Sequence, residues 1–210
     1  MNPANLHRFA ATWRAAAFAS DPEPVLAGLA RRHREPGRHY HTLEHVNAVL
    51  DQLHAVRDQL QHPADAELAV WFHDAVYDPT RSDNEIASAE LARQHLEAAG
   101  APAAQVERIT GMILDTRPRE DATSPDGALV ADADLAILAA PAAEFDAYEC
   151  AVRLEYGHLT DDEFRQGRAA FVHAMLQRPR IYRTEAFRHF ETLARANLQR
   201  SLASARTDAS

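Results

Sequence analysis

The sequence contains no lysine, and all 22 of its basic residues are arginine. Cysteine occurs once, at Cys150, so an intrachain disulfide framework is excluded. No window approaches the roughly 18 consecutive apolar residues that a membrane span needs. The opening stretch MNPANLHRFAATWRAAAF lacks the layout of a secretory leader, and a soluble cytoplasmic protein is expected. Positive charge is in deficit as well. With 31 acidic side chains the formal net charge is −9, which argues against coating duplex nucleic acid, a task for clustered cations that neutralise phosphates. Histidine is the plentiful titratable residue, with 12 in the chain.

Only 7 of the 210 residues are glycine, alanine and leucine are common, and apolar residues recur at helical spacing through most of the sequence. Together these predict an all-α fold with no strand. Helices are expected over 6–18, 22–32, 42–60, from Pro63 through the run Leu68-Ala69-Val70-Trp71-Phe72, 82–99, from Pro102, 128–140, 142–156, 160–179 and 184–202. Asp21 is a candidate cap for the second, and S-x-x-E and T-x-x-E capping boxes open those at Ser82 and Thr160. The helix carrying Trp71 and Phe72 is apolar all round and is expected to be central. Residues 116–127, with Pro118, Pro125 and several charges, form the one loop long enough to suggest a functional rim. No internal repeat and no boundary composition is evident, so one helical domain is expected.

Three segments bring chemistry: Tyr40 to His45, Trp71 to Asp74, and Ala131 to Leu135. Imidazole nitrogen with carboxylate oxygen suits a borderline or hard divalent cation. His73 and Asp74 end the most apolar helix, where two titratable groups are costly to bury unless paired or metal-bound. Asp132 and Asp134 interrupt another apolar stretch; helix capping is the alternative for Asp132. Ligands from His45, from His73 with Asp74 and from Asp134 would come from three helices, as in metal sites inside helical bundles.

These motifs resemble the HD superfamily of metal-dependent phosphohydrolases, and in particular a bacterial group of predicted HD phosphohydrolases. The resemblance rests on R-x-Y-H-x-x-x-H from Arg38 to His45, W-F-H-D-x-x-Y from Trp71 to Tyr77, N-E-x-x-S-A from Asn84 to Ala89, D-A-D-L from Asp132 to Leu135 and R-x-E-Y from Arg153 to Tyr156; Ala196-Asn197-Leu198 also fits. It implies a single HD-type helical bundle over residues 1–205, with a motif core at 38–156, C-terminal helices at 157–205 and a frayed tail at 206–210. It further implies His45, His73, Asp74 and Asp134 as metal ligands, Asp134 being preferred to Asp132, and His41 as general acid. Related sequences often carry histidines after the position of Thr116, where this chain has Arg117-Pro118-Arg119.

The reaction implied is hydrolysis of a phosphate ester, a nucleotide among the candidates, by water activated on Mn, Fe, Co, Zn or Mg. Asp74, Asp78 or Glu85 is the candidate proton acceptor, although Glu85 has a competing capping role and Asp78 and Asn84 suit a turn. Arg38 and Arg153 are candidate phosphate ligands, with an internal ion pair the alternative for Arg153. The partner is a small phosphorylated substrate. A non-catalytic metal- or ligand-binding module and a di-iron oxygenase are the rival readings. The latter needs further histidines between Asp74 and Asp134, where only His95 occurs, expected in solvent.

Overall fold

In the computed structural model, which describes residues 3–117 and 122–207, the run from Leu68 to Phe72 is wholly buried. It forms the second half of α4 (Pro63–Phe72), and the other helices are arranged around it: α1 (Pro3–Ala15), α2 (Glu23–Arg32), α3 (Leu43–Ala55), α5 (Asn84–Ala98), α6 (Ala103–Asp115), α7 (Pro125–Asp134), α8 (Ala142–Glu155), α9 (Asp161–Gln177) and α10 (Glu191–Thr207). The fold is all-α, with no strand among the described residues, and no described helix is long and apolar enough to cross a membrane. Helix α4 packs against α1, α3, α5, α6 and α7, the placement that an all-round apolar surface demands. One connected set of buried apolar side chains runs from Phe9 in α1 to Leu198 in α10.

Several helix boundaries depart from those expected, each for a traceable reason. The 42–60 stripe stops being α-helical at Ala55 and continues as a 3-10 turn, Arg57–Gln59, before Leu60 turns inward. The chain bends there because the buried Asp126 carboxylate accepts the backbone N–H groups of Gln61 at 2.9 Å and His62 at 2.8 Å, fixing the entry to α4. The Ser82 capping box does not form: α5 starts at Asn84 after Asp83, with no side-chain cap. Asn84 instead accepts from Asp78 N–H and donates to Asp78 O, while Ser88 exchanges two hydrogen bonds with the backbone of Val76. The N-E-x-x-S segment thereby pins the loop that leaves His73 and Asp74. Asp21 supports α2 from outside, accepting from Glu23 N–H.

Helix α7 begins at Pro125, earlier than expected, because Ser124 caps it by accepting from Gly127 N–H at 3.0 Å. Beyond Asp134 it tightens into a 3-10 turn, Leu135–Ala139, onto which Asn197 of α10 closes by donating to Leu138 O and Ala140 O. The Thr160–Glu163 capping box is present as expected. The last helix starts at Glu191 instead of Thr184, since the Glu191 carboxylate accepts from Ile181 and Tyr182 N–H and the chain between them forms a turn and a short 3-10 helix, Arg188–Phe190. It continues through Thr207, past the point where fraying was expected. Pro118 and Arg119, and residues 208–210 of the tail, lie outside the described residues.

The start of α7 also fixes one glycine. A Cβ on Gly127 would overlap the buried Asp115 carboxylate, which accepts from Thr123 N–H and Oγ1–H, whereas Gly167 in α9 has open space around it. Gly127→Ala is expected to destabilise the fold by about 1–3 kcal/mol. Gly167→Ala should stabilise it by roughly 0.5–1 kcal/mol through helix propensity alone. Urea unfolding midpoints of the two variants should therefore move in opposite directions.

Candidate metal centre

Three helix ends meet at one point. His45 lies in the first turn of α3, behind the Thr42 cap; His73 and Asp74 follow the last residue of α4; Asp134 is the last residue of α7. The His45 and His73 Nε2 atoms face each other at 3.2 Å. Asp74 Oδ2 lies 3.0 Å from His73 Nε2 and 3.6 Å from His45 Nε2, and Asp134 Oδ1 lies 3.0 Å from His45 Nε2 and 3.5 Å from His73 Nε2. His45, His73 and Asp74 bring donor atoms within 4.8 Å of one another, and Asp134 joins them through the imidazoles. The four residues assigned as ligands are thus brought together.

The donor set fits a divalent cation. His73 Nδ1 is 2.7 Å from Val70 O, so it carries the proton and donates, which leaves the Nε2 lone pair directed at the cluster. Two nitrogen and two oxygen donors then converge. An ion about 2.1 Å from each would space tetrahedral donors by about 3.4 Å and adjacent octahedral donors by about 3.0 Å, and the distances found, 3.0 to 3.6 Å, lie within about 0.2 Å of that range. Both imidazoles are buried, but the Asp74 and Asp134 side chains keep 15% and 21% exposure, so the centre is open on the carboxylate side.

Burial alone would lower the His73 pKa, yet Asp74 and Asp134 outweigh it and hold the imidazole well above its usual range. Burial would likewise raise the two carboxylates. Asp74 is kept well below its ordinary value by His73, His41 and His45, and Asp134 is lowered by its hydrogen bonds to His45 and His73. The pocket draws positive charge, and a proton and a cation compete for the same lone pairs.

Asp132 is not a ligand. It is wholly buried on another side of α7, accepting from Arg183 N–H at 2.8 Å, Thr184 N–H at 2.7 Å and Thr184 Oγ1–H at 2.6 Å. Arg38 also differs from expectation. Its buried guanidinium donates to Asp74 O at 2.6 Å, His41 O at 3.1 Å and Ala75 O at 3.2 Å, stapling backbone segments together instead of facing a phosphate. Arg153 pairs with Asp161 and donates to Tyr156 O and Leu159 O at the α8–α9 turn, the internal role weighed against phosphate binding. Asp78 serves a surface turn, accepting from Thr80 N–H and Oγ1–H, and no described hydrogen bond or ion pair joins Glu85 to the cluster. His95 is half-buried beside the Phe72 ring at 5.9 Å, neither in solvent nor among the ligands.

His41 stands beside the cluster, its ring 5.8 Å from that of His45 and stacked 4.0 Å from Tyr77. Its Nδ1 lies 2.6 Å from Glu155 Oε2, which also accepts the Tyr77 hydroxyl; Glu155 Oε1 accepts the N–H groups of His39, Tyr40 and His41. Burial disfavours the Glu155 carboxylate, but these donors, His41 foremost, hold its pKa at about 2. Burial opposes a charged His41 as well, and Asp74 with Glu155 raises it regardless. Glu155 was not singled out from the sequence, although it is the E of the R-x-E-Y motif. Tyr40, packed 4.6 Å from both His45 and Tyr148, was overlooked too.

Two cavities open on this centre. One of about 450 Å³ is bordered by His45, Tyr40 and Asp134, and another of about 180 Å³ by His41, Tyr40 and Asp134. Comparison with protein-family models, with curated proteins and with solved structures finds no match to this chain.

Asp134→Asn should abolish stoichiometric binding of a divalent cation in equilibrium dialysis. Asp132→Asn should retain it while losing about 2 kcal/mol of stability, because a buried charged acceptor is exchanged for a poorer one. Since the His73 pKa is raised, cation binding must displace protons at neutral pH. Affinity should fall as the pH is lowered, and titration calorimetry in buffers of different ionisation enthalpy should show net proton release.

Proposed function

We propose that this chain is a metal-dependent phosphohydrolase of the HD type, acting on a phosphate ester. The observation that carries the reading is the juxtaposition of a converging two-imidazole, two-carboxylate donor set with an imidazole, His41, oriented by a buried carboxylate. His45, His73, Asp74 and Asp134 would hold the cation, and Mn, Fe, Co, Zn and Mg all accept such donors. When bound, the ion supplies charge neutralisation at a phosphoryl group and acidifies water.

The chain's own residues supply the rest. Glu155 holds His41 Nδ1, which leaves Nε2 to carry a proton to the leaving oxygen. Its negative charge also favours the protonated imidazole needed before the reaction. As a water oxygen bonds to phosphorus and the phosphorus–oxygen bond to the leaving group breaks, the His41 proton passes to that oxygen. Asp74 directs Oδ2 toward the imidazoles, leaving Oδ1 to accept the proton that the water loses.

Purified wild type should contain a divalent metal and hydrolyse p-nitrophenyl phosphate or a member of a nucleotide panel. His73→Ala should lose both metal and turnover. His41→Gln should keep the metal while kcat drops by roughly 10²–10⁴-fold, the usual worth of a general acid. A metal-replete wild type that hydrolyses none of these esters would overturn the proposal and favour a binding module.

A further inference from the structure

Helix α3 presents two working faces. Val46, Leu50 and Leu53 enter the core, whereas Glu44, Ala48 and Gln52, spaced by four, share a second face that opens on the 450 Å³ cavity. Ile137, Ala140, Pro141 and Phe190 also line it, from the 3-10 turn after α7, the link to α8 and the short 3-10 helix before α10. Its floor is apolar, with Val49 buried and Ile137 and Phe190 half-buried. Glu44 and Glu144 stand in the first turns of α3 and α8, where the helix dipole favours acids, so neither needs a ligand to account for it. The apolar floor has no such account. It lies beside His45 and Asp134, two of the residues assigned to the cation, and small-molecule sites are concave, mostly apolar and about 300–1,000 Å³ in volume.

The position of His41 decides which part of a substrate this cavity can take. In displacement at phosphorus the attacking and leaving oxygens lie in line, and the other three oxygens stand around that axis. The leaving oxygen takes its proton from His41, and His41 lines the 180 Å³ cavity but not the larger one. Tyr40 lines both, its ring 5.0 Å from that of His41 and 4.6 Å from that of His45. A substituent that fills the larger cavity is therefore carried by an oxygen that stays on phosphorus. A charged substituent would lose hydration against the apolar floor, so an uncharged one fits. The cavity has room for about fifteen water-sized volumes at about 30 Å³ each, enough for a ring-sized group.

Resting on the phosphohydrolase reading, we propose that the 450 Å³ cavity is a subsite for an uncharged organic group on a non-leaving oxygen, so that the substrate is a phosphodiester. Water bonds to phosphorus and the ester bond on the His41 side breaks. The products are the alcohol that takes the His41 proton and a phosphate monoester whose group still occupies the cavity.

The test uses the metal-loaded full chain and two matched pairs of esters. Methyl and phenyl p-nitrophenyl phosphate share a leaving group and a single negative charge and differ only in the group that stays. Phenyl and 1-naphthyl phosphate differ only in the group that leaves. For wild type, kcat/KM should rise on the order of ten-fold from the methyl to the phenyl diester. Ala48→Trp, which fills the cavity from an exposed position on α3, should erase that rise with metal content unchanged and leave the ratio of the two monoesters where it was. Gln52→Phe, one turn further along the same face, should reduce it even if the first variant folds poorly. Equal kcat/KM for the two diesters, or a rise that persists in both variants, would overturn the subsite. So would variants that shift the monoester ratio and spare the diester ratio, which would place the leaving group in this cavity. Turnover of monoesters without turnover of either diester also fails the subsite while the phosphohydrolase reading stands, whereas a chain without metal, or without turnover of any of the four esters, fails that reading itself.

Discussion

The Glu155 carboxylate takes five hydrogen bonds, three of them from consecutive backbone N–H groups. A buried carboxylate costs several kcal/mol unless it is fully satisfied, and a backbone N–H buried without a partner is costly too. Each debt cancels the other here. Residues 38–42 lie between α2 and α3 with no helical ladder of their own, so the end of α8 dictates their course. Arg38, from the same loop, then reaches across to the carbonyls of Asp74 and Ala75 and binds His41 O in passing. Through these two residues the segment that carries His41 and leads into His45 is locked against the segment that carries His73 and Asp74. His33 completes the arrangement. It is buried, and its pKa is lowered to about 4 by that burial and by Arg38, so it remains a neutral imidazole that can accept from the guanidinium.

The location of the cluster follows from the apolar character of the helices around it. The second half of helix α4, Leu68 to Phe72, is apolar and wholly buried, so polar ligands appear at this end only where the helix stops, and His73 and Asp74 occupy that place. Asp134 does the same at the end of α7. Two helix C-termini thus point their negative dipole ends at the cluster, against one N-terminus from α3. Side-chain donors and backbone dipoles favour a cation at the same point, without any contribution from the overall charge of the chain.

Much of this was legible in the sequence, because it depended on local pattern. Helical periodicity revealed the all-α class, and ligand-type residues pointed to His45, to His73 with Asp74 and to the Asp132–Asp134 pair, of which the resemblance favoured Asp134. Boundaries were lost wherever a distant carboxylate captures the backbone, as Asp126 does at Gln61 and His62 and Glu191 does at Ile181 and Tyr182. Arg38 was misjudged, and Arg153 was left between phosphate and an internal ion pair, for a related reason: a guanidinium that binds main-chain carbonyls has the same letter as one that binds phosphate. Glu155 escaped notice because its role exists only once residues 38–42 pack on α8. Asp132 and Asp134 were separable in principle, since two residues on a helix diverge by about 200° and only one could face the cluster. Deciding which required the segment at Arg183 and Thr184 that claims the other.

That division of labour on α7 decides which charges an acidic chain presents at the cluster. Exposed charges more than about 8–10 Å away are largely screened at physiological salt, so a net charge of −9 spread over the surface matters less than the few charges held half-buried at the site. Asp132 spends its charge on two backbone N–H groups and a hydroxyl, and in doing so it anchors the segment bearing Arg183. Asp134 directs its charge toward the imidazoles. Two carboxylates on one helix are thereby turned apart, one toward the imidazoles and the other to position the segment bearing an arginine. Asp126, at the start of the same helix, is likewise engaged by backbone N–H groups, so all three acids of α7 act within the fold.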